Sequence, residues 1–328
     1  MTANSALMRP TQILGVNYHY CTPRGGMRWP GLKGVTQAEF ERQISTLGAH
    51  CVDFDLDGLP LVPGNASFGA TGCLITFDDG MADVVEAAKP VLDRHRLPAI
   101  IFCCAIPYVE GRVLNVQKSH LLQGRWGWDG FRTRFMGALQ DDPEGDSRED
   151  TTHLGLDRMY RYDDQATGAF KRLLNVELPY RVVDRVLDRM FEAEFGSQRE
   201  AAKHLYLGLD DIRRCADDGM GIGLHTYSHR MISRLSRVDQ AEDMDASLTL
   251  FRDQLGLEIR SISYPYGIRG SWNNDSKELA QERGLDLAFT LGREVYRPDI
   301  HPDPLEIPRY DVNDVFEQDG SLKLEFCR

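Results

Sequence analysis

Two apolar runs on either side of a helical stretch limit the choice of fold for this 328-residue chain. The first run, Cys73-Leu74-Ile75, leads into Thr76-Phe77-Asp78-Asp79-Gly80, and the second covers residues 99–105. Both runs are typical of buried strands, and residues 82–95 between them predict a helix. Because strand, helix and strand form the repeating unit of a parallel sheet or barrel, we predict an α/β fold.

This alternation occupies two parts of the chain, with a different block between them. Residues 1–107 and 205–328 contain the predicted strands, among them 13–16, 221–224, 259–264, 286–290 and 305–310. Residues 108–204 are polar, charged and mostly helix-forming. We predict that this block is a helical insertion in the α/β domain and not a second α/β unit.

Charge and composition exclude some classes of partner. The 38 basic and 50 acidic residues give a formal charge of −12, which argues against nucleic acid or an anionic membrane surface as the main partner. No apolar run approaches the ~18 residues of a membrane span, and none near the N-terminus suits a signal peptide, so we expect a cytoplasmic location. The chain has seven cysteines and no CxxC pair, so we expect reduced, buried thiols. These are Cys21, Cys51, Cys73, Cys103, Cys104, Cys215 and Cys327.

Adjacent aspartates, Asp78 and Asp79, are unusual at the end of a buried strand. Because successive side chains of a strand point to opposite faces, both carboxylates can reach one site only if the chain turns, which Gly80 permits. One carboxylate could then bind a metal ion while its neighbour moves protons. The alternative is the start of a loop with two solvated aspartates.

A second motif, His225-Thr226-Tyr227-Ser228-His229, follows the strand predicted at 221–224. Two histidines at this spacing and one aspartate form a set of two nitrogens and one oxygen, which suits zinc or another divalent ion that activates water. The alternative is a surface pair, or one core histidine and one solvated histidine. The position after a strand favours the metal interpretation, because strand ends form the site in parallel α/β architectures.

A third motif, Ser263-Tyr264-Pro265-Tyr266-Gly267, also ends a predicted strand. Pro265 and Gly267 predict an irregular backbone, and a backbone N–H there could face a developing oxyanion. The alternative is a plain turn.

Together the three motifs resemble, in this order, those of the polysaccharide deacetylase family, also called carbohydrate esterase family four. The resemblance implies a distorted (β/α) barrel of about seven strands that hydrolyses an N-acetyl, or sometimes an O-acetyl, group from a sugar. It implies that Asp78 is the general base and that the backbone N–H of Tyr266 stabilises the oxyanion. The implied metal ligands are Asp79, His225 and His229, and the implied ion is Zn²⁺, with Ni²⁺, Co²⁺ or Mn²⁺ as alternatives.

Two residues of the family pattern are missing. No arginine stands just before Pro265, and Arg309 is our predicted substitute as the partner that keeps Asp78 ionised. No Leu-x-His pair follows near the C-terminus, and we expect His19 in Asn17-Tyr18-His19-Tyr20 to replace it as the general acid. The Tyr-His pair resembles the circularly permuted subgroup of the family. The alternative for His19 is a core histidine bonded to the backbone.

The helical block has two interpretations of equal weight. It could be a lid or specificity wall, because His120, Trp126 and Trp128 suit sugar stacking, and we take Trp126 as the candidate substrate contact. It could also be an oligomer interface or a decoration.

The sequence therefore predicts a metal-dependent deacetylase for an acetylated sugar or glycan, an intermediate of surface polysaccharide such as lipopolysaccharide or O-antigen. Two alternatives remain. The missing arginine and histidine would also suit a non-catalytic glycan-binding or scaffold protein on the same fold. An enzyme with another substrate, such as a cyclic amide, would use the same chemistry.

Overall fold

Parallel strands form the centre of the molecule in the computed structural model, which describes residues 10–29, 31–61, 70–156, 159–160, 163–317 and 319–323. In chain order the strands are β1 (Gln12–Tyr18), β2 (Cys21–Thr22), β3 (Val35–Thr36), β4 (Thr71–Phe77), β5 (Ala99–Cys103), β6 (Gly221–Leu224), β7 (Ile259–Ser263), β8 (Leu287–Thr290), β9 (Ile307–Pro308) and β10 (Tyr310–Asp311). Strands β2 and β3 pair with each other in a small separate ribbon.

The other eight strands form one sheet that nearly closes on itself. Its order is β10-β1-β4-β5-β6-β7-β8-β9, and every neighbouring pair is parallel. Only Arg309 separates β9, which pairs with β8, from β10, which pairs with β1. The predicted distorted α/β barrel is thus confirmed. Because β9 and β10 are almost one continuous segment, the eight strands also agree with the expected number of about seven.

Helices follow most strands and cover the outside of the barrel. They are α1 (Gln37–His50), α2 (Lys89–His95), α3 (Ile106–Val109), α4 (Asn115–Gln140), α5 (Gln165–Arg172), α6 (Tyr180–Phe195), α7 (Gln198–Leu205), α8 (Leu209–Asp217), α9 (Arg237–Leu248), α10 (Asn274–Glu282) and α11 (Val312–Val315). Wider turns of π type occupy Val84–Ala88, Leu173–Glu177 and Thr249–Gln254, and 3₁₀ turns occupy Leu56–Gly58, Thr152–Leu154, Ile232–Arg234 and Pro304–Glu306.

Side chains fill the molecule in layers, because successive residues of a strand face opposite sides of the sheet. Leu74, Ile100, Phe102 and Phe289 belong to a cluster between the strands. The neighbouring residues of the same strands, such as Ile75 and Ile101, pack outward against the surrounding helices. A barrel filled in this way has no open channel, so a site must lie at its rim.

The described residues between 106 and 205 form helices and turns, with no strand among them. Helices α4, α5 and α6 enclose a separate apolar cluster that includes Phe131, Phe135, Phe170 and Leu187. A second cluster joins this block to the barrel and contains Leu121 of α4. The packing ties α4 to the barrel rim.

In the part of the chain that the structure describes, no helix is both long enough and apolar enough to cross a membrane. The six described cysteines are free thiols, and Cys327 lies outside the described residues.

Candidate metal centre and active site

The three sequence motifs meet at the carboxyl-terminal rim of the barrel. Asp78 and Asp79 follow β4, His225 follows β6, and the turn with Tyr266 follows β7. A cavity of about 800 Å³ opens at this rim, and all four residues line it. The convergence follows from the parallel sheet, since all strands end on the same side.

The turns at this rim have strained backbones. Asp79, Thr226, His229 and Tyr266 have positive φ angles of 72°, 64°, 58° and 66°. Side chains other than glycine rarely adopt this region, at a cost of about 1–3 kcal/mol each. Four of the six such residues in the described chain lie at this one rim. Backbone strain concentrated in this way is typical of functional sites.

Asp79, His225 and His229 form a group that could hold a metal ion. Asp79 Oδ1 lies 3.6 Å from His225 Nε2 and 3.5 Å from His229 Nε2. Ligand atoms on one tetrahedral zinc ion stand about 3.3 Å apart, given metal–ligand distances of about 2.0–2.2 Å. Asp79 Oδ1 is buried and has no hydrogen-bond partner among the described residues. A cation would satisfy this oxygen, so the residues present fit a divalent metal.

The two imidazoles are prepared as neutral ligands. His225 Nδ1 donates to the Ser263 carbonyl oxygen at 2.8 Å, which leaves the lone pair of Nε2 directed toward Asp79. Burial lowers the pKa of both His225 and His229 to about 4, so both imidazoles are neutral at neutral pH and each has one nitrogen lone pair to offer.

Asp78 is paired with Arg309 in the interior of the rim. Arg309 is fully buried, and its Nη1 and Nη2 donate to Asp78 Oδ1 and Oδ2, both at 3.0 Å. Burial acts to raise the pKa of Asp78, but the guanidinium, together with His225 and His19, outweighs it and holds the pKa well below its usual range. Asp78 is therefore ionised. Arg309 occupies the place at which we predicted a substitute partner.

The two carboxylate oxygens of Asp78 accept different numbers of hydrogen bonds. Oδ2 accepts from Asn17 Nδ2 at 3.0 Å, from Ser263 Oγ at 3.3 Å and from Arg309. Oδ1 accepts only from Arg309 among the described residues. A carboxylate oxygen has two lone pairs, so Oδ1 can still accept a proton.

The backbone amide of Tyr266 is free in the described chain, where it donates no hydrogen bond. Its ring lies 5.4 Å from the ring of His229, and its hydroxyl donates to Asn175 Oδ1 at 3.5 Å. The amide therefore sits in a turn beside the candidate metal ligands.

Two further histidines line the cavity. His19 follows β1, and His120 comes from α4, where its Nδ1 meets the Tyr20 hydroxyl at 3.0 Å. Burial lowers the pKa of His120. The structure thus brings His19 to the same cavity as Asp78.

Trp126, expected to contact substrate, is not brought to the cavity. It packs against the apolar cluster of the helical block, and the guanidinium of Arg134 lies 4.8 Å from its ring. Gly127, the next residue, has a non-helical backbone (φ 70°, ψ 170°) that interrupts α4 there. Contact of Trp126 with substrate stays a prediction.

Sequence reasoning missed three polar residues around the aspartates. Asn17 and Ser263 lie inside motifs that we quoted, and their positions at strand ends were the signal that could have found them. Gln117, which donates to Asp79 Oδ2 at 2.7 Å, stands within a helix and carries no such signal.

One segment of the chain is similar to a known protein family. Residues 189–288 match the family model described as polysaccharide deacetylase. The match is a similarity to the polysaccharide deacetylase family over this segment of the chain. The matched range includes both histidines and Tyr266, while Asp78 and Asp79 precede it. No curated protein sequence matches the chain significantly.

Solved structures share the fold at low sequence identity. IcaB from Ammonifex degensii is 18% identical, with a TM-score of 0.53 and coverage of 94% of both chains. The Streptococcus pyogenes deacetylase PplD in complex with acetate is 15% identical, with a TM-score of 0.52 and coverage of 93% of both chains. A polysaccharide deacetylase from Bacillus cereus is 13% identical, with a TM-score of 0.51, and covers 92% of this chain and 65% of its own. At these identities the likeness concerns the fold.

Proposed function

We propose that this chain is a metal-dependent hydrolase that removes an N-acetyl group from a sugar or glycan. The observation that carries the proposal is that two groups of residues lie together at one cavity. One is the group of Asp79, His225 and His229, and the other is the buried pair of Asp78 and Arg309. Hydrolysis of an unreactive amide needs both an electrophilic centre and a base.

A divalent ion bound by Asp79, His225 and His229 would polarise the amide carbonyl and make a water molecule more acidic. Asp78 is the proposed general base, and its Oδ1 accepts the proton of the attacking water. Arg309 keeps Asp78 ionised and fixes the plane of its carboxylate. The backbone N–H of Tyr266 donates to the oxyanion that forms from the carbonyl oxygen when water adds to the carbonyl carbon.

His19 is the proposed general acid. As the bond between the carbonyl carbon and nitrogen breaks, His19 gives a proton to the leaving amine, which would otherwise depart as an unstable anion. The products are a free amine on the sugar and acetate. The position of the Tyr18-His19 pair at the end of the first strand, with His19 in the cavity, supports the proposal that the chain belongs to the circularly permuted subgroup.

The substrate proposal is an acetylated intermediate of surface polysaccharide assembly, handled in the cytoplasm, with Zn²⁺ as the ion. Two imidazoles and one carboxylate suit zinc, and Ni²⁺, Co²⁺ and Mn²⁺ are the alternatives. The relatives named deacetylase support the choice of an acetyl group, and one of them was solved with acetate.

Metal analysis and a substrate panel test the proposal. We expect purified protein to bind one divalent ion per chain and His225→Ala to lose it, because His225 supplies one of three ligand atoms. Turnover of acetylated sugars and sugar nucleotides should depend on that ion and disappear with a chelator. A bound ion without turnover would favour a glycan-binding protein, and turnover of cyclic amides alone would change the substrate class.

Loss of the proposed acid should depend on the leaving group. We expect His19→Ala to reduce turnover of an N-acetyl sugar by about 10²–10⁴-fold, since an amine needs a proton to leave. An acetyl ester of a nitrophenol needs no such proton, so its hydrolysis should change far less. Steady-state rates on the two substrates measure the difference. Equal losses on both substrates, or the selective loss in His120→Ala instead, would contradict the role of His19.

A further inference from the structure

A side chain from the helical block reaches one of the candidate metal ligands. Gln117 on α4 is fully buried, and its Nε2 donates to Asp79 Oδ2 at 2.7 Å. The other oxygen of the same carboxylate, Oδ1, is the one that lies near both imidazoles. Gln117 therefore binds one oxygen of Asp79 and leaves the other for an ion.

The orientation of the Gln117 amide is fixed by its remaining contacts. The hydroxyl of Tyr206 lies 3.2 Å from Gln117 Oε1 and must donate to it, because a carbonyl oxygen can only accept. The hydroxyl oxygen of Tyr206 accepts in turn from the Leu114 amide at 2.9 Å. The second hydrogen of Gln117 Nε2 reaches the hydroxyl oxygen of Tyr20 at 3.0 Å. A reversed amide would place its oxygen against the Asp79 carboxylate with no proton between them, so only one orientation satisfies every group.

The helix that carries Gln117 is itself anchored. Lys118, the next residue, is 1% exposed, and its ammonium pairs with Asp188 on α6. It also donates to Asn115 Oδ1 at 3.2 Å. Since burying an ammonium is costly unless it is paired, this contact holds the first turns of α4 against α6.

We propose that Gln117 is a positioning residue of the metal centre, and that the first turns of α4 are a fixed part of that centre and not a movable lid. The inference rests on the proposed function, because it requires that Asp79 bind an ion. A donor on Oδ2 stops the carboxylate from rotating, so Oδ1 already points at the imidazoles before the ion arrives. Hydrogen bonds of this kind typically account for 10- to 100-fold in metal affinity.

Zinc affinity of the full chain tests the role of Gln117. Gln117→Met keeps the size of the side chain and removes the donor, so the dissociation constant for Zn²⁺ should rise by about 10- to 100-fold. Calorimetric titration against a competing chelator measures it. Gln198→Met is the matched control, because Gln198 is a buried glutamine of the same block that bonds to Val113 and Glu192. This control should bind zinc as wild type does.

The outcomes separate this inference from the proposed function. Wild-type protein that binds no Zn²⁺ would overturn both, whereas normal wild-type binding with unchanged affinity in Gln117→Met would overturn the inference alone. If Gln117→Met does not fold, as judged by its thermal unfolding without zinc, Tyr206→Phe replaces it. That variant keeps Gln117 but removes the hydroxyl that orients the amide. Weaker zinc binding by Tyr206→Phe supports the inference, and unchanged binding overturns it.

Discussion

Replacing Asp78 by asparagine is expected to reduce turnover of an acetylated sugar by about 10²–10⁴-fold or more. The physical reason is that an amide oxygen at this place cannot accept a proton from water, whereas Oδ1 of the carboxylate can. Steady-state rates on the substrate identified by the panel measure the loss. Zinc affinity should change little, because the variant retains Asp79 and the two histidines, the proposed metal ligands.

A second buried aspartate provides the control for Asp78→Asn. Asp83 is 8% exposed, and its Oδ2 accepts from the Cys21 amide at 2.6 Å, but it does not line the cavity. Asp83→Asn can still accept this hydrogen bond and should retain wild-type turnover. Full activity in Asp78→Asn would show that another group takes the proton.

Replacing Arg309 by methionine is expected to lower the free energy of unfolding by about 3–5 kcal/mol at neutral pH, because it leaves a buried carboxylate without its cation. Arg309 also donates to Asn17 Oδ1 at 3.0 Å, Thr76 Oγ1 at 2.8 Å and Ser263 Oγ at 2.8 Å, and these groups would lose a partner as well. Urea denaturation measures the loss. Turnover should also fall, since Asp78 without Arg309 would be protonated more readily.

The cost of Arg309→Met should depend on pH. In the wild-type protein Arg309 keeps the pKa of Asp78 below its unfolded value, so this stabilisation is present above about pH 4 and is lost as the pH falls further. In the variant, burial alone raises the pKa of Asp78, so acid stabilises the folded variant by protonating it. The difference in stability between the two proteins should therefore narrow as the pH falls.

A double variant shows whether the pair itself causes the loss. Asp78→Asn together with Arg309→Met removes both charges, and it should be more stable than the sum of the two single losses implies. Strict additivity, or a difference that stays constant with pH, would contradict the assigned pairing.

Local elements were predictable from the sequence because their signals are local. Thr36 and Glu39 form a capping box at the start of α1, and this Thr-x-x-Glu pattern can be read directly from the sequence. The apolar run 221–224 coincides with β6, and the motif after each strand lies at the rim that a parallel barrel creates. The sequence did not indicate that Trp126 packs in a helical cluster and does not line the cavity, because a residue type that suits sugar stacking also suits a helical core.

The sequence by itself determined the alternation of strands and helices and the donor types that follow the strands, since hydrophobic period, turn residues and donor types are properties of short segments. The barrel was implied by the family resemblance of the three motifs. Only the tertiary structure decided which distant residues donate hydrogen bonds to the two aspartates. Arg309 stands 231 positions from Asp78 and reaches it because the last segment closes the barrel beside β1. The missing side chain of Gly15 leaves room there, since a Cβ would lie 2.9 Å from Arg309 Cγ. Gln117 reaches Asp79 because α4 packs on the rim, and a polar residue inside a helix gives no local sign of such a long-range contact.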